Sequence, residues 1–405
     1  MANPKIKIEL GSDASISGDW FTLDNATKGL LDGSYTLADG YYLDVTAYAT
    51  NFNIGRGKSR ELDRYQAGHA NVSFDNTKRY FDPTFTASPF YGQIVPRRNL
   101  RITVKDIVQF TGIIDDWDLS FSVDGNASAV CSAYDNMAVL AQQTLTNALY
   151  PQESAGSRIN RVLDSSGVIY NAVARNIEPG QMFIASAGVD NSMGALDHIQ
   201  NVELSEDGAF FIDKNANAIF YDSAHSISAS SIVTLADDGT GISYQTMNIV
   251  YGSELLYNQA NVKNPSGSVS SATNQTSLQA YGIRTIDEDT LLSDDAQSLR
   301  LATWLVSQYA APELRFESIA ISMGDSTLAE QGLILNLEIG GKCKIVYTPA
   351  NIPPAITKYA QIIGIDHAAD PDQHIVTLHF KTLDNQIFIL DDSVFGLLDS
   401  NSLGL

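Results

Sequence analysis

Residues Gly55–Pro83 read GRGKSRELDRYQAGHANVSFDNTKRYFDP. Charges of both signs open the stretch: Arg56, Lys58, Arg60, Glu61, Asp63 and Arg64. A strand follows over Gly68–Asp75. Ala70, Val72 and Phe74 fall on one of its faces, with His69, Asn71, Ser73 and Asp75 on the other, the alternation of a half-buried strand. Asp75-Asn76 then opens a turn, because a short Asx side chain can hydrogen-bond its own backbone. No catalytic pattern occurs in the stretch, and it reads as structural surface.

Working outward, strands are expected at Tyr42–Tyr48 before it and at Leu100–Val104, Val108–Ile114, Trp117–Val123 and Ala127–Ala133 after it. Phe81-Asp82-Pro83 and Ser88–Gly92 read as ordered loop with aromatic anchors. Short strands at this density predict a small β-barrel or sandwich over residues 41–135. Residues 1–40 hold short extended pieces (Lys5–Leu10, Trp20–Leu23) among Gly, Ser, Asp and Asn, the composition of an arm or a loosely packed edge.

The texture changes at Asp135. Apolar residues at helical spacing predict helices over 136–149, 158–163 and 193–202. A hairpin follows, Ala209–Ile212 and Ala218–Tyr221. Residues 136–235 are thus an inserted α+β unit. Strands return over 236–390, at Ser243–Val250, Leu255–Val262, Phe316–Met323, Gly332–Leu337, Lys342–Tyr347, Tyr359–Asp366 and His374–Leu383. The Ser/Thr/Gly-rich 264–277 is expected to be loop or edge. A helix over 294–310 is capped by Ser293 and presents Leu299, Thr303, Val306 and Ala310, with Leu305, to a sheet. Residues 391–405 are an apolar, acidic tail with Phe395, Leu397 and Leu398. The expected fold class is β-rich α+β: two similar small β-barrel or sandwich domains with an inserted α+β domain.

The similarity of the two β regions rests on a weak repeat. Arg98–Val104, Gly112–Asp115 and Asp135-Asn136 resemble Gly341–Tyr347, Gly364–Asp366 and Asp384-Asn385 in the same order. A basic strand, a strand begun by Gly and a strand closing on Asp-Asn recur, the signature of a duplicated β unit.

Charge separates the chain further. The net charge is −22 over 405 residues. Residues 56–105 hold ten Lys/Arg and four Asp/Glu, a local +6, which leaves −28 elsewhere. That balance argues against a protein that grips nucleic acid, which needs basic surface to displace counterions. No apolar run approaches the ~20 residues of a bilayer span, and MANPKIKIELGSDASISG has no apolar signal core. Cys131 and Cys343 match no metal or redox spacing, and are expected to be buried thiols of a protein assembled in the cytoplasm.

Motifs for chemistry fail one by one. Gly57-Lys58-Ser59 matches the end of a phosphate loop, but Phe52 stands where the first Gly is required. Gly57, Gly241 and Gly324 have the Ser of GxSxG without the second Gly. Tyr244 breaks GxGxxG after Gly239 and Gly241. Asp366, His367, Asp370, Asp372 and His374 read as a solvated hairpin turn rather than a cation site. His374 and His379, five apart on a strand, face opposite ways. Asp115, Asp116 and Asp118 read as a strand end, not a glycosidase dyad. No catalytic residue, metal or cofactor is expected.

The stretch RGKSRELDRYQAGHANVSFDNTKRYFDP, with SPFYGQIVPRR after it, resembles a segment of the minor tail proteins of long-tailed bacteriophages, of the tail-tip or baseplate-hub kind. Arg56–Ser59, Glu61–Tyr65, Ala67-Gly68, Asp75-Asn76, Arg79, Phe81–Pro83 and Ser88–Tyr91 carry it. Lys58 stands where Arg is more usual. A looser likeness covers Gln259–Pro312, with Ala260–Val262, Tyr281-Gly282 and the Ala302–Leu305 helix.

The resemblance implies a homotrimeric ring in the virion, at the tail tip. Its partners would be the tail tube or a distal tail protein, the tape measure protein, and a central tip or fibre protein at the C-terminus. DNA would pass through the ring without binding. Arg56, Lys58, Arg60, Glu61, Asp63 and Arg64, with Arg97 and Arg98, are the candidate subunit contacts, and Phe395, Leu397 and Leu398 the candidate attachment point. A hexameric distal-tail adaptor or a fibre-attachment protein is the alternative. A cell-wall or polysaccharide hydrolase is a third reading that no motif favours.

Overall fold

The computed structural model describes residues 3–12, 41–170, 175–225 and 232–383. Strand β1 (Ile6–Ser12) pairs antiparallel with β2 (Tyr41–Asp44) and with β5 (Asn99–Val104). Ile8 and Leu10 are each 1% exposed. The loose arm expected at the N-terminus is therefore a packed strand over Ile6–Ser12, because its alternate apolar residues close one face. The Trp20–Leu23 piece lies outside the described residues.

The other strands of the first β region are β3 (Ala49–Gly57), β4 (Gln66–Asp75), β6 (Ile107–Phe121) and β7 (Ala127–Tyr134). Ala70, Val72 and Phe74 are buried. Asn76 Oδ1 accepts from the Phe81 amide at 3.0 Å, and the Phe81 ring stacks on Phe74 with centroids 4.4 Å apart. The Asx turn thus delivers its aromatic anchor into the core.

The insert starts with helix Asn136–Ala141, capped by Asp135, whose side chain accepts from the Met137 amide at 2.8 Å. This helix ends well short of 149. Leu145 N donates to the Met193 carbonyl, and β8 (Ala148–Tyr150) pairs with β12 (Ala187–Val189), so tertiary pairing overrides the helical spacing. Between them lie β9 (Glu153–Ser154), helix Ala155–Leu163, β10 (Arg175–Ile177) and β11 (Phe183–Ile184). Arg158 is fully buried there, bonded to Glu153 and to the Pro151 and Ala185 carbonyls. Helix Ala195–Glu206 leads to the hairpin β13 (Ala209–Ile212) and β14 (Ala218–Tyr221).

The second β region opens with β15 (Ile232–Ala236) and β16 (Thr246–Tyr251). A small side sheet follows: β17 (Gln259–Lys263), β18 (Val269–Thr273) and β19 (Thr285–Asp289), with helix Gln275–Tyr281. The Ser/Thr/Gly-rich stretch thus contains both a strand and the start of a helix. Helix Asp295–Tyr309 packs on this sheet through Leu301, Ala302, Leu305, Val306 and Tyr309. Its cap is Asp294, not Ser293, and its face is turned from the expected one, leaving Leu299 48% exposed.

Strands β20 (Leu314–Ser322), β21 (Lys342–Tyr347), β22 (Ile356–Ala369) and β23 (His374–Leu383) complete the chain. Gly332–Leu337, expected as a strand, belongs to helix Leu328–Asn336 instead. A capping box starts that helix: Thr327 bonds the Glu330 amide while Glu330 bonds the Thr327 amide.

The two β regions share one strand plan. The first runs β3-β4-β7-β6-β5, and the second β16-β20-β23-β22 with β21 on β22. The long central strands β6 and β22 each carry one bulge against the next strand, at Asp115 and Ile363. Counting from these bulges, Asn99–Val104 matches Lys342–Tyr347, as read from sequence. Gly112 does not match Gly364, since one precedes its bulge and the other follows it. The two regions meet directly. β22 pairs antiparallel with β3, from Gly364 opposite Gly57 to Ala369 opposite Phe52, making one 13-stranded sheet among the described residues.

Candidate docking surface

The charged run that follows β3 lies on this seam. Arg56 is on β3 itself, so strand alternation turns it inward. Its side chain is 2% exposed, and Nη1 donates to Glu338 Oε1 at 2.6 Å. Glu61 accepts from the Tyr309 hydroxyl and from Arg315 Nη1, both at 2.9 Å. Arg56 and Glu61, expected as contacts between subunits, are therefore engaged within the chain.

Lys58 holds its ammonium 4.7 Å from the centre of the Tyr65 ring. Burial lowers its pKa, and burial pushes the neighbouring Glu203 carboxyl up to about 8. Arg60, Asp63 and Arg64 are exposed. Arg60 pairs with Glu254 at 2.8 Å, with both side chains roughly two-thirds in solvent, a pair worth about 1 kcal/mol or less. Beside the run is a cleft of about 220 Å³ lined by Lys58, Asp63, Arg64, His69, Asp366 and His379. His379 Nε2 lies 2.8 Å from Asp366 Oδ2 there. Arg97 is exposed at the turn into β5, with a positive φ of 68°, and Arg98 beside it is half-buried. Phe395, Leu397 and Leu398 lie outside the described residues.

The remaining candidates assemble no reaction centre. Asp115, Asp116 and Asp118 line an exposed strand half. Asp370 caps the turn between β22 and β23 through the Asp372 and Gln373 amides, as a solvated hairpin should. His367 and His374 depart from that reading. They are 2% and 1% exposed, with Nδ1 of one 3.1 Å from Nε2 of the other. Burial pushes both pKa values down, that of His374 to about 4, so the pair is neutral packing. Among the described residues no group of three or more His, Cys, Asp or Glu could hold a metal ion. No helix among them is long and apolar enough to cross a membrane.

Sequence reading missed Glu338, Arg315, Tyr309 and Glu254, the partners of the charged run. They lie far along the chain with no local signal, and only the β3–β22 pairing brings them in.

The architecture has relatives among solved structures. The tail protein from Neisseria meningitidis MC58 matches with a TM-score of 0.60 at 10% identity, over 86% of this chain and 95% of its own. The 43 kDa tail protein of prophage MuSo2 from Shewanella oneidensis matches with a TM-score of 0.59 at 10% identity, over 94% of this chain and 97% of its own. The chain shares the fold of these two tail proteins. No family model and no curated protein sequence matches it. The shared fold agrees with the likeness of the Gly55–Pro83 stretch to phage minor tail proteins.

Proposed function

We propose that this chain is a structural protein of a phage tail tip: a trimeric hub in the virion that joins a hexameric tail tube to the tip and lets DNA through. The observation that carries this reading is the doubled strand plan. A hexameric tube presents six equivalent edges. Three chains, each with two equivalent β units, answer them with six. The −28 outside residues 56–105 would keep DNA from adhering to the lumen. Tail tube or distal tail protein on one side, with tape measure and tip or fibre proteins, are the partners this position implies. The role needs docking surfaces and no reaction centre.

Averaged images of the particle test the symmetry directly. Threefold density for this protein is expected, and sixfold density would instead make it a distal-tail adaptor. The docking role of the exposed charges is tested separately. Arg60→Glu with Arg64→Glu should block tail assembly while the unfolding midpoint of the purified chain moves little, since both residues are exposed and the Arg60–Glu254 pair that is broken is itself solvated. Tails that assemble normally would remove these residues from the docking surface.

A further inference from the structure

Among the described residues the doubled plan leaves two strand edges open. Within the chain, β3 pairs with β4 on one side and with the second half of β22 on the other. Among the described residues its counterpart β16 pairs only with β20. The counterpart of β22 is β6, whose first half pairs with β5 while Asp116–Phe121 pairs, among the described residues, only with β7. One repeat's first strand and the other repeat's long strand are joined at the seam. The reciprocal pair is unmade.

The equivalence fixes a register. From the two bulges, Asp116 corresponds to Gly364, and their partners Ser132 and His379 correspond in turn. Across the next ladders Asn71 corresponds to Ser318, and Asn53 to Asn248. The sequences agree at this position: Asn53-Ile54 with Gly57 against Asn248-Ile249 with Gly252. At the seam, Ile365, His367 and Ala369 face Arg56, Ile54 and Phe52, and all six are buried. Their counterparts are Trp117, Leu119 and Phe121, and Tyr251, Ile249 and Met247. None of these six is fully buried. Phe121 is 54% and Tyr251 70% exposed. They are apolar, alternate along each strand, and sit on edges whose backbone has no ladder partner among the described residues.

We infer that β16 of one copy of this chain adds antiparallel to Asp116–Phe121 of β6 in the next copy, in the seam's register. Tyr251 meets Trp117, Ile249 meets Leu119 and Met247 meets Phe121, closing the inner face. Asn248 meets Ser120 on the outer face. The partner is a second copy because the contact already exists once inside each chain, between the equivalent strands. This deepens the trimer reading and rests on it for the number of copies, but the strand pairing itself does not depend on that number.

Chains carrying Ser120→Cys alone and Asn248→Cys alone test it. Both positions are exposed, and the native Cys131 and Cys343 are buried. Directly opposed residues come within disulfide reach. Mixed and oxidised, the two variants should give a disulfide-linked dimer at least tenfold above either alone, and the same excess over Ser120→Cys mixed with Val250→Cys. The doubly substituted chain should link into trimers. A native mass of three copies without the mixed cross-link overturns the strand pairing and leaves the trimer. The cross-link in a ring of six copies keeps the pairing and overturns the trimer. A monomer with no cross-link overturns the pairing. Amide exchange of the unmodified chain gives a second readout, with protection over 116–121 and 247–251 expected to fall together on dilution. Exchange that does not change with dilution would also overturn it.

Discussion

Glu338→Ala is expected to destabilise the chain by about 3–5 kcal/mol, because it leaves the Arg56 guanidinium buried without its hydrogen-bonded anion. The Arg56 side chain is 2% exposed and Glu338 is 25% exposed, so the two ends of the pair are unequal. Removing the buried cation instead leaves a carboxylate that still accepts from the Ile339 amide at 3.0 Å and still has the Lys214 ammonium nearby. Arg56→Met should therefore cost less than half as much as Glu338→Ala. Changing both, to Arg56→Met with Glu338→Met, should recover most of the loss, since an apolar pair of similar volume often replaces a buried ion pair at little cost. Urea unfolding midpoints for the three variants give this cycle. A Glu338→Ala loss below about 1 kcal/mol would mean that the guanidinium rehydrates, and that the pair does not latch the seam. The pair matters beyond its energy because Arg56 lies on β3 of the first repeat, while Glu338 lies just before β21 of the second.

How much of this was legible from sequence depends on how far each determinant lies from what it determines. The hairpin Ala209–Ile212 with Ala218–Tyr221, and the strands Lys342–Tyr347 and His374–Leu383, were read to the residue. Period-two alternation and turn residues are local signals. Helix Leu328–Asn336 was misread as strand from its apolar Leu333–Leu335 core, although Thr327 and Glu330 spelled a capping box upstream. The helix expected to 149 failed for another reason: its second half is claimed by strand pairing with Ala187–Val189, which no local spacing records. The docking residues divide in the same way. Position on a charged run was visible, but Arg56 turning inward follows from strand parity, and its partner Glu338 is 282 positions away. The seam itself had one local trace, the glycine of the opening stretch.

That glycine carries the second large effect. Gly57 has φ +89° and sits opposite Gly364 across the seam. A Cβ there would run into the Ile363 carbonyl oxygen and lie 2.9 Å from both Gly364 Cα and Ile339 Cδ1. The same carbonyl accepts the Lys58 amide at 2.9 Å, so it cannot withdraw without breaking that hydrogen bond. Gly57→Val adds about 1–3 kcal/mol of backbone strain, because a β-branched residue is disfavoured at positive φ. Overpacking adds about 1–3 kcal/mol more. The expected loss is about 2–6 kcal/mol, and Gly57→Ala should fall toward its lower end. Gly125→Ala is the control: its φ is +90°, and nothing lies within 4 Å of the added carbon, so it bears the strain alone. Thermal unfolding of Gly57→Ala and Gly125→Ala compares them. A clear excess for Gly57 means the close approach of β3 to β22 stabilises the fold. Equal losses would mean that the seam yields to an extra methyl, and that the two repeats are not held as one sheet.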